Sequence, residues 1–393
     1  MVALAEGLAA DFATRAAEHD RDASYPFASV RALAAKGYLV APIPEHLGGG
    51  AVESVHDVIV AASRLARGDA SVAIGANMHL AGVLVLARRW RMAVAARNPR
   101  RAAAFADSLE AIVRDGTVMA QAISERSQDL TRPGTRATRT ETGWRIDGHK
   151  IFCTMAPAAT VLSTAVTFTD DDGVERYGYA AIPPDTPGVT VHDDWDALGM
   201  RASGSHSVSF DGVELPLAAL RGGFPTGDSA AYMERNLPAG LLHAAASLGI
   251  AESAHANVVA ALARRNGARD DARTKMLAAE NAIDLSACRA VLARGAALID
   301  AHYDAHPADD GSEEELVELF AETQLAKAFV NEAAPRVVDR ALALSGGAGY
   351  LNGSPLARAY RDVRAGAFMH PLGANRAYEF AARVALGLDP DLR

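Results

Sequence analysis

Thr142-Gly143-Trp144-Arg145-Ile146-Asp147-Gly148 and His206-Ser207-Val208-Ser209-Phe210-Asp211-Gly212-Val213 decide the fold. Each alternates apolar and polar side chains, the period-2 pattern of a strand with one buried face. Each also carries an Asp-Gly pair, which is a turn signal. Both stand in a stretch, residues 118–220, where short Val, Thr, Ile and Phe runs alternate with turn residues. The flanks have a different texture. Residues 27–35, 55–67 and 83–95 repeat apolar side chains at three- and four-residue spacing, and 241–259, 274–303, 313–344 and 374–386 do the same. That spacing predicts helices. Pro42-Ile43-Pro44-Glu45-His46-Leu47-Gly48-Gly49-Gly50 is read as a loop, because prolines and consecutive glycines disfavour a helix. The order helical, β, helical predicts an α+β chain in three parts: residues 1–116, 117–226 and 227–393.

Composition bounds the function. Half of the 393 residues are hydrophobic and 22% are charged, as in an ordinary soluble globular protein. The formal charge of −9 lacks the bulk field of a nucleic-acid or anionic-membrane binder. Cys153 and Cys288 are too few for a zinc cluster or a disulfide framework, and there is no CxxC. The first residues carry acids and no basic patch ahead of an apolar core, and no uninterrupted apolar run reaches about 18 residues. Neither a signal peptide nor a membrane span is expected, and the cytoplasm is the expected location. The phosphate-cradling GxxxxGK[ST], a GxGxxG after a strand, HExxH and GxSxG are all absent. His302 and His306 have the spacing of two ligands on one helix face, but they abut Pro307 with no clear third ligand. They are read as a solvated helix end, and no metal site is expected.

Five ordered segments say more than composition does. They are Gly68-Asp69-Ala70-Ser71-Val72-Ala73, Met119-Ala120-Gln121-Ala122-Ile123-Ser124-Glu125, Gly148-His149-Lys150-Ile151-Phe152-Cys153-Thr154-Met155-Ala156, Trp195-Asp196-Ala197-Leu198-Gly199-Met200-Arg201-Ala202-Ser203, and Leu344-Ser345-Gly346-Gly347-Ala348-Gly349-Tyr350 followed by Pro355 to Asp362. With them the chain resembles the acyl-CoA dehydrogenase superfamily, from Pro44 almost to the C-terminus. The resemblance implies an N-terminal helical domain, a middle β-barrel-like domain and a C-terminal four-helix bundle. It implies a flavin near Ala122 and Ser124, with Phe152 beside the ring and the Thr154 hydroxyl approaching its reactive nitrogen. Hydroxyl and backbone donors there tune flavin electronics. Gly346 and Gly347 would let backbone approach the flavin nucleotide, often across a subunit interface, because glycine has no Cβ. A homotetramer is implied in the same way.

Two departures from the family pattern narrow the activity. Dehydrogenation of an acyl thioester needs a carboxylate to take the α proton. One usual position for it falls near His370 and the other near Ala239, and Glu234 stands five residues before the second. The nucleotide-binding Arg-x-x-Phe-Gly is replaced by Arg264-Arg265-Asn266-Gly267-Ala268-Arg269, so FMN stands beside FAD as the flavin. Both departures resemble the monooxygenase branch, which includes dibenzothiophene monooxygenase. Those enzymes take reduced flavin from a separate reductase and use O2. The resemblance therefore implies a two-component monooxygenase acting on a small aromatic or nitrogen-containing substrate. His370 and His79 are its candidate catalytic residues, since imidazole exchanges protons near neutral pH. His243 is read as packing, and Cys153 likewise. The alternatives are an acyl-CoA dehydrogenase with Glu234 as a displaced base, and a non-catalytic binding subunit.

Overall fold

The structure is a computed structural model that describes residues 1–126, 129–220, 223–390 and 392. Six helices come first: α1 (Val2–Ala13), α2 (Ala16–Asp22), α3 (Phe27–Ala35), α4 (Val55–Ala66), α5 (Ala70–Ala95) and α6 (Pro99–Arg114). Local signals set their starts. The Ser54 hydroxyl caps α4, and the Asp69 carboxylate caps α5 by accepting from the Ser71 and Val72 N–H groups. The proline and glycine loop makes a single 3-10 turn, Glu45–Leu47.

Eight strands follow: β1 (Met119–Ala122), β2 (Arg136–Arg139), β3 (Gly143–Cys153), β4 (Val161–Thr169), β5 (Glu175–Ile182), β6 (Val189–Val191), β7 (His206–Pro216) and β8 (Phe224–Pro225). They form one sheet in the order β6-β7-β3-β2-β4-β5-β8, with β1 parallel to β4. The expected alternation holds, since β3 and β7 bury Trp144, Ile146, Val208, Phe210 and Val213. The expected turns at the Asp-Gly pairs do not form. Asp147-Gly148 and Asp211-Gly212 both lie inside long strands, where the β3–β7 register shifts between Ile146 and Gly148. The physical reason is local. The Asp147 carboxylate accepts the Gly212 N–H at 2.8 Å and Gly212 takes φ +61°, so the two pairs build a bulge.

Helices return with α7 (Ser229–Ala263), α8 (Ala272–Ala305), α9 (Glu313–Ser345), α10 (Pro355–Asp362) and α11 (Ala374–Ala385). The capping box of Ser312 and Glu315 starts α9. The sheet has its own core, whereas the N- and C-terminal helices share one, from Ala5 and Leu65 to Leu241, Val337 and Phe380. Helix α5 lies inside it. Over an 18-residue window it is long and apolar enough to cross a membrane, which the sequence reading did not expect, and 78% of that window is buried in the protein. At Gly82 a Cβ would sit 2.5 Å from the Met119 sulfur, so glycine lets α5 lie directly on β1.

Candidate active site

The ends of β1 and β3, the 195–205 segment, α5, α7 and the 361–370 segment enclose a cavity of about 350 Å³. That falls within the roughly 300–1,000 Å³ of small-molecule sites. Ser124, Phe152, Thr154 and His370 line it together. His79, Ala122, Gly346 and Gly347 lie outside its lining.

The sheet side is built by a bend. The β3–β7 register shifts again between Lys150 and Cys153, and Phe152 and Met155 take φ +57° and +71°. Left-handed backbone costs a non-glycine residue roughly 1–2 kcal/mol. The bend leaves the Phe152 ring 60% exposed, edge-on to Trp195 with centroids 6.1 Å apart. Thr154 Oγ1 lies 2.9 Å from Ser205 Oγ, which is 2.7 Å from Ser203 Oγ. The Ser124 carbonyl accepts the Ile151 N–H at 2.9 Å. Behind this face Lys150, fully buried, pairs with Glu125 at 2.5 Å and donates to the Ile123 carbonyl at 3.3 Å. Glu125 also accepts from the Thr135 N–H and hydroxyl at 2.8 and 2.7 Å. Burial works to raise the Glu125 carboxyl, and Lys150 and Thr135 more than offset it, holding it below the ordinary value. This clamp ties the Ser124 segment to β3. The Cys153 thiol is buried and pushed up to about 12, the state of a packing residue.

The helical side is built from buried polar groups. Helix α7 turns Arg235, Asn236, Ala239 and His243 toward the cavity. Asn236 Nδ2 donates to the Tyr232 carbonyl at 2.8 Å, and Asn236 Oδ1 meets His370 Nε2 at 3.2 Å. Tyr232 Oη lies 3.2 Å from the Pro371 carbonyl and 3.3 Å from His370 Nε2. Burial, aided by the charge of Lys327, lowers His370 to about 3, so it is neutral. His243 lines the same cavity, and neither ring nitrogen has a partner among the described residues. Burial holds it well below its usual value. The sequence predicts it as packing, and the structure places it in the cavity lining.

Charge on the lining is positive. Arg235 stacks over Tyr179, 3.5 Å from the ring centroid, and has no carboxylate partner among the described residues. Arg364 pairs with Asp339 at 3.0 Å. Arg361 and Asp362 do not pair with each other. Arg361 pairs with Asp20 at 2.5 Å, and Asp362 accepts the Met200 N–H at 2.6 Å. A Cβ on Gly199 would lie 2.4 Å from the Arg361 carbonyl, so glycine lets the 195–203 segment dock on the end of α10. Among the described lining residues there is no Asp or Glu.

Five sequence candidates sit elsewhere. His79 is fully buried with both ring nitrogens engaged. Nε2 lies 3.1 Å from the Leu39 carbonyl, and Nδ1 accepts the Met119 N–H at 3.1 Å. It pins α5 to β1, while its neighbour Met78 faces the cavity. Glu234 is buried against Arg89 at 2.6 Å and Arg88 at 3.8 Å, away from the cavity. Gly346 and Gly347 form the turn after α9, where an added Cβ would meet nothing within 4 Å. Ala122 is buried in β1 opposite Thr164. The sequence reading missed Asn236, Arg235, Trp195 and Lys327. For Arg235, Asn236 and Lys327 the available signal was a polar residue inside a helical stretch, and Trp195 stood in a segment that carries the family resemblance.

The residues match known proteins over nearly the whole chain. Residues 3–89, 120–213 and 241–371 match the N-terminal, middle and C-terminal domain models of acyl-CoA dehydrogenase. The amino sugar nitrososynthase DnmZ of Streptomyces peucetius is 34% identical, over 94% of this chain and 89% of its own. A crystal structure of KijD3 in complex with FMN and dTDP-3-amino-2,3,6-trideoxy-4-keto-3-methyl-D-glucose is 33% identical. It covers 98% of this chain and 92% of its own, with a TM-score of 0.88. Dibenzothiophene monooxygenase TdsC of Paenibacillus sp. A11-2 shares the fold at a TM-score of 0.84 and 23% identity, over 100% of this chain and 98% of its own. With these relatives the chain is a flavin-dependent oxidoreductase, and it belongs to the acyl-CoA dehydrogenase superfamily.

Proposed function

We propose that the protein is a two-component flavin-dependent monooxygenase that oxygenates the amino nitrogen of a small substrate, an amino sugar carried on a nucleotide. One observation carries the reading: the described cavity lining holds two neutral histidines and no carboxylate. Removal of an α proton from a thioester has no carboxylate base there, and burial makes both histidines weak bases. Oxygenation of an amine needs none of that kind, because the nitrogen supplies its own electron pair. The relatives named as amino sugar nitrososynthases favour this substrate over an aromatic one.

The cavity fits a flavin ring. It offers an exposed aromatic edge at Phe152 and Trp195, the hydroxyls of Thr154, Ser205 and Ser203, and an uncompensated cation at Arg235. Ser124, Phe152 and Thr154 would hold the ring, with Ala122 in the strand behind. Gly346 and Gly347 would serve the nucleotide part of a neighbouring copy's flavin. Exposed Tyr350 and Leu351 beside them give that copy an apolar surface, in keeping with a homotetramer. The altered 264–269 segment and the FMN complex of KijD3 favour FMN over FAD. Once bound, reduced flavin from a separate cytoplasmic reductase supplies the two electrons that activate O2. The chain's own part is to exclude water, present the amine and hold His370 beside it.

The test mixes the protein with reduced FMN, O2 and a panel of dTDP-linked amino sugars, and follows N-oxygenated product by mass spectrometry. Product that depends on the amino group is expected. Desaturation of an acyl-CoA without amine oxygenation would overturn the reading.

A further inference from the structure

The protons around His370 can be placed from their partners. Asn236 Nδ2 donates to the Tyr232 carbonyl at 2.8 Å, which turns Oδ1 toward the histidine. A side-chain amide oxygen only accepts, so His370 Nε2 carries the proton of that 3.2 Å bond. The Tyr232 hydroxyl is then left to donate to the Pro371 carbonyl at 3.2 Å. In a neutral imidazole with its proton on Nε2, Nδ1 keeps a free electron pair. His370 Nδ1 has no partner among the described residues, and the side chain lines the cavity.

Lys327 holds the backbone that delivers this ring. It is 2% exposed, and its ammonium donates to the carbonyls of Met369, His370 (3.2 Å) and Leu372 (2.6 Å). Three donors meet three acceptors, and no carboxylate pairs with it among the described residues. The groups facing His370 from the packed elements are Lys327 on α9, Arg235, Tyr232 and His243 on α7, and Arg376 on α11. All are neutral or positive, so nothing there stabilises an imidazolium.

We propose that Asn236 and Lys327 are positioning residues that fix His370 as the neutral tautomer protonated on Nε2, so that Nδ1 accepts a hydrogen bond from the substrate's amino group. The assignment rests on the amine reading for the identity of the donor. It rests on the geometry alone for the tautomer. An amine held this way stays uncharged, because the cavity offers acceptors and cations and no counter-ion. Its electron pair remains free for oxygen transfer.

The experiment is histidine-selective 15N NMR of the full-length, flavin-free protein at pH 6, with the His370 signals identified by their loss in His370→Gln. Wild type should show His370 neutral and protonated on Nε2. In Asn236→Asp, a nearly isosteric change, the carboxylate should draw His370 into the imidazolium form. Turnover should fall roughly tenfold or more, the worth of one well-placed hydrogen bond, with little change in KM or melting temperature. Lys327→Met should disturb the His370 signals, and Lys327→Arg, which keeps the charge and the donors, should restore them. Wild-type His370 protonated on Nδ1, or Asn236→Asp with unchanged signals and turnover, would overturn the proposal. A wild type that shows the expected signals and oxygenates no amine would overturn the functional reading and leave the tautomer assignment supported.

Discussion

The two sides of the cavity are made by opposite means. The sheet side is shaped by backbone: a register shift, two left-handed residues and a row of hydroxyls, clamped from behind by Glu125 and Lys150. The helical side is shaped by buried polar side chains satisfied one bond at a time: Asn236, Tyr232 and Lys327 on helices, and His370 on the segment before α11. A bend in a strand is local and tolerates changes in its surroundings. A buried polar group is satisfied only if every neighbour is in place. Under the proposed function, the sheet side would hold the constant flavin ring and the helical side would set what is oxidised.

The sharpest way to break this comparison is to change its histidines. His370→Asn keeps polarity and removes the free Nδ1 acceptor, and it should lower turnover roughly tenfold or more, the worth of one well-placed hydrogen bond. Its melting temperature should move little. His79→Ala should do the reverse. It leaves the Met119 N–H and the Leu39 carbonyl unpaired in the core, at about 1–3 kcal/mol for each buried group. Melting should drop while the turnover of the folded fraction holds. Equal losses of turnover in both variants would erase the distinction.

That contrast also shows what sequence can carry. The β domain was legible because alternation is periodic, whereas the grouping of Ser124, Phe152 and Thr154 was legible only through the resemblance of their two segments to the family. His370 and His79 were not separable by pattern. Each is one histidine in an apolar neighbourhood, and only the packing of α5 on β1 shows that both His79 nitrogens are engaged. Asn236 and Lys327 left no motif, since their partners are carbonyls, which every residue has. The Asp-Gly pairs misled because the same carboxylate that closes a turn also satisfies a bulge.

The clamp behind the sheet side gives the next effect. Lys150→Met removes a buried charge and leaves Glu125 unpaired, which should destabilise the fold by about 3–5 kcal/mol. Calorimetry would read it. A double variant, Lys150→Met with Glu125→Gln, should recover part of the loss because no charge is then stranded. A single variant as stable as wild type would show that the Ser124 segment is held by its backbone alone.

Acid should separate the two sides with a smaller effect per group. His79 and His370 are held by burial at about 4 and about 3, below the roughly 6.5 of an exposed imidazole. Between those values and 6.5 the unfolded chain binds more protons than the folded one, so stability rises with pH there. The full stability is present above pH 6.5 and is lost as the pH falls toward 4 for His79 and toward 3 for His370. At pH 5 each contributes a loss of about 2 kcal/mol. Melting measured from pH 7.5 to 5 should fall, with His243 contributing in the same direction, and His370→Asn should remove only the share of about 2 kcal/mol that belongs to His370. An unchanged slope would mean that His370 already titrates in the folded protein.

The smallest effect is expected at Phe152, where the strained bend can be tested directly. Phe152→Gly relieves a left-handed backbone worth roughly 1–2 kcal/mol. It also gives up the edge contact with Trp195, about 0.5–1.5 kcal/mol, and adds the entropy of a glycine, roughly 0.5–1 kcal/mol. The terms nearly cancel, so melting should move by only about a degree or two. Flavin affinity should fall severalfold in the same variant, because the ring beside the cavity is gone while the bend remains. Phe152→Ala keeps the strain and loses the ring, and should therefore melt lower than the glycine variant with a similar loss of affinity. If the alanine variant melts higher, the bend is not strained and the exposed ring, rather than the backbone, is what the register shift is built to present.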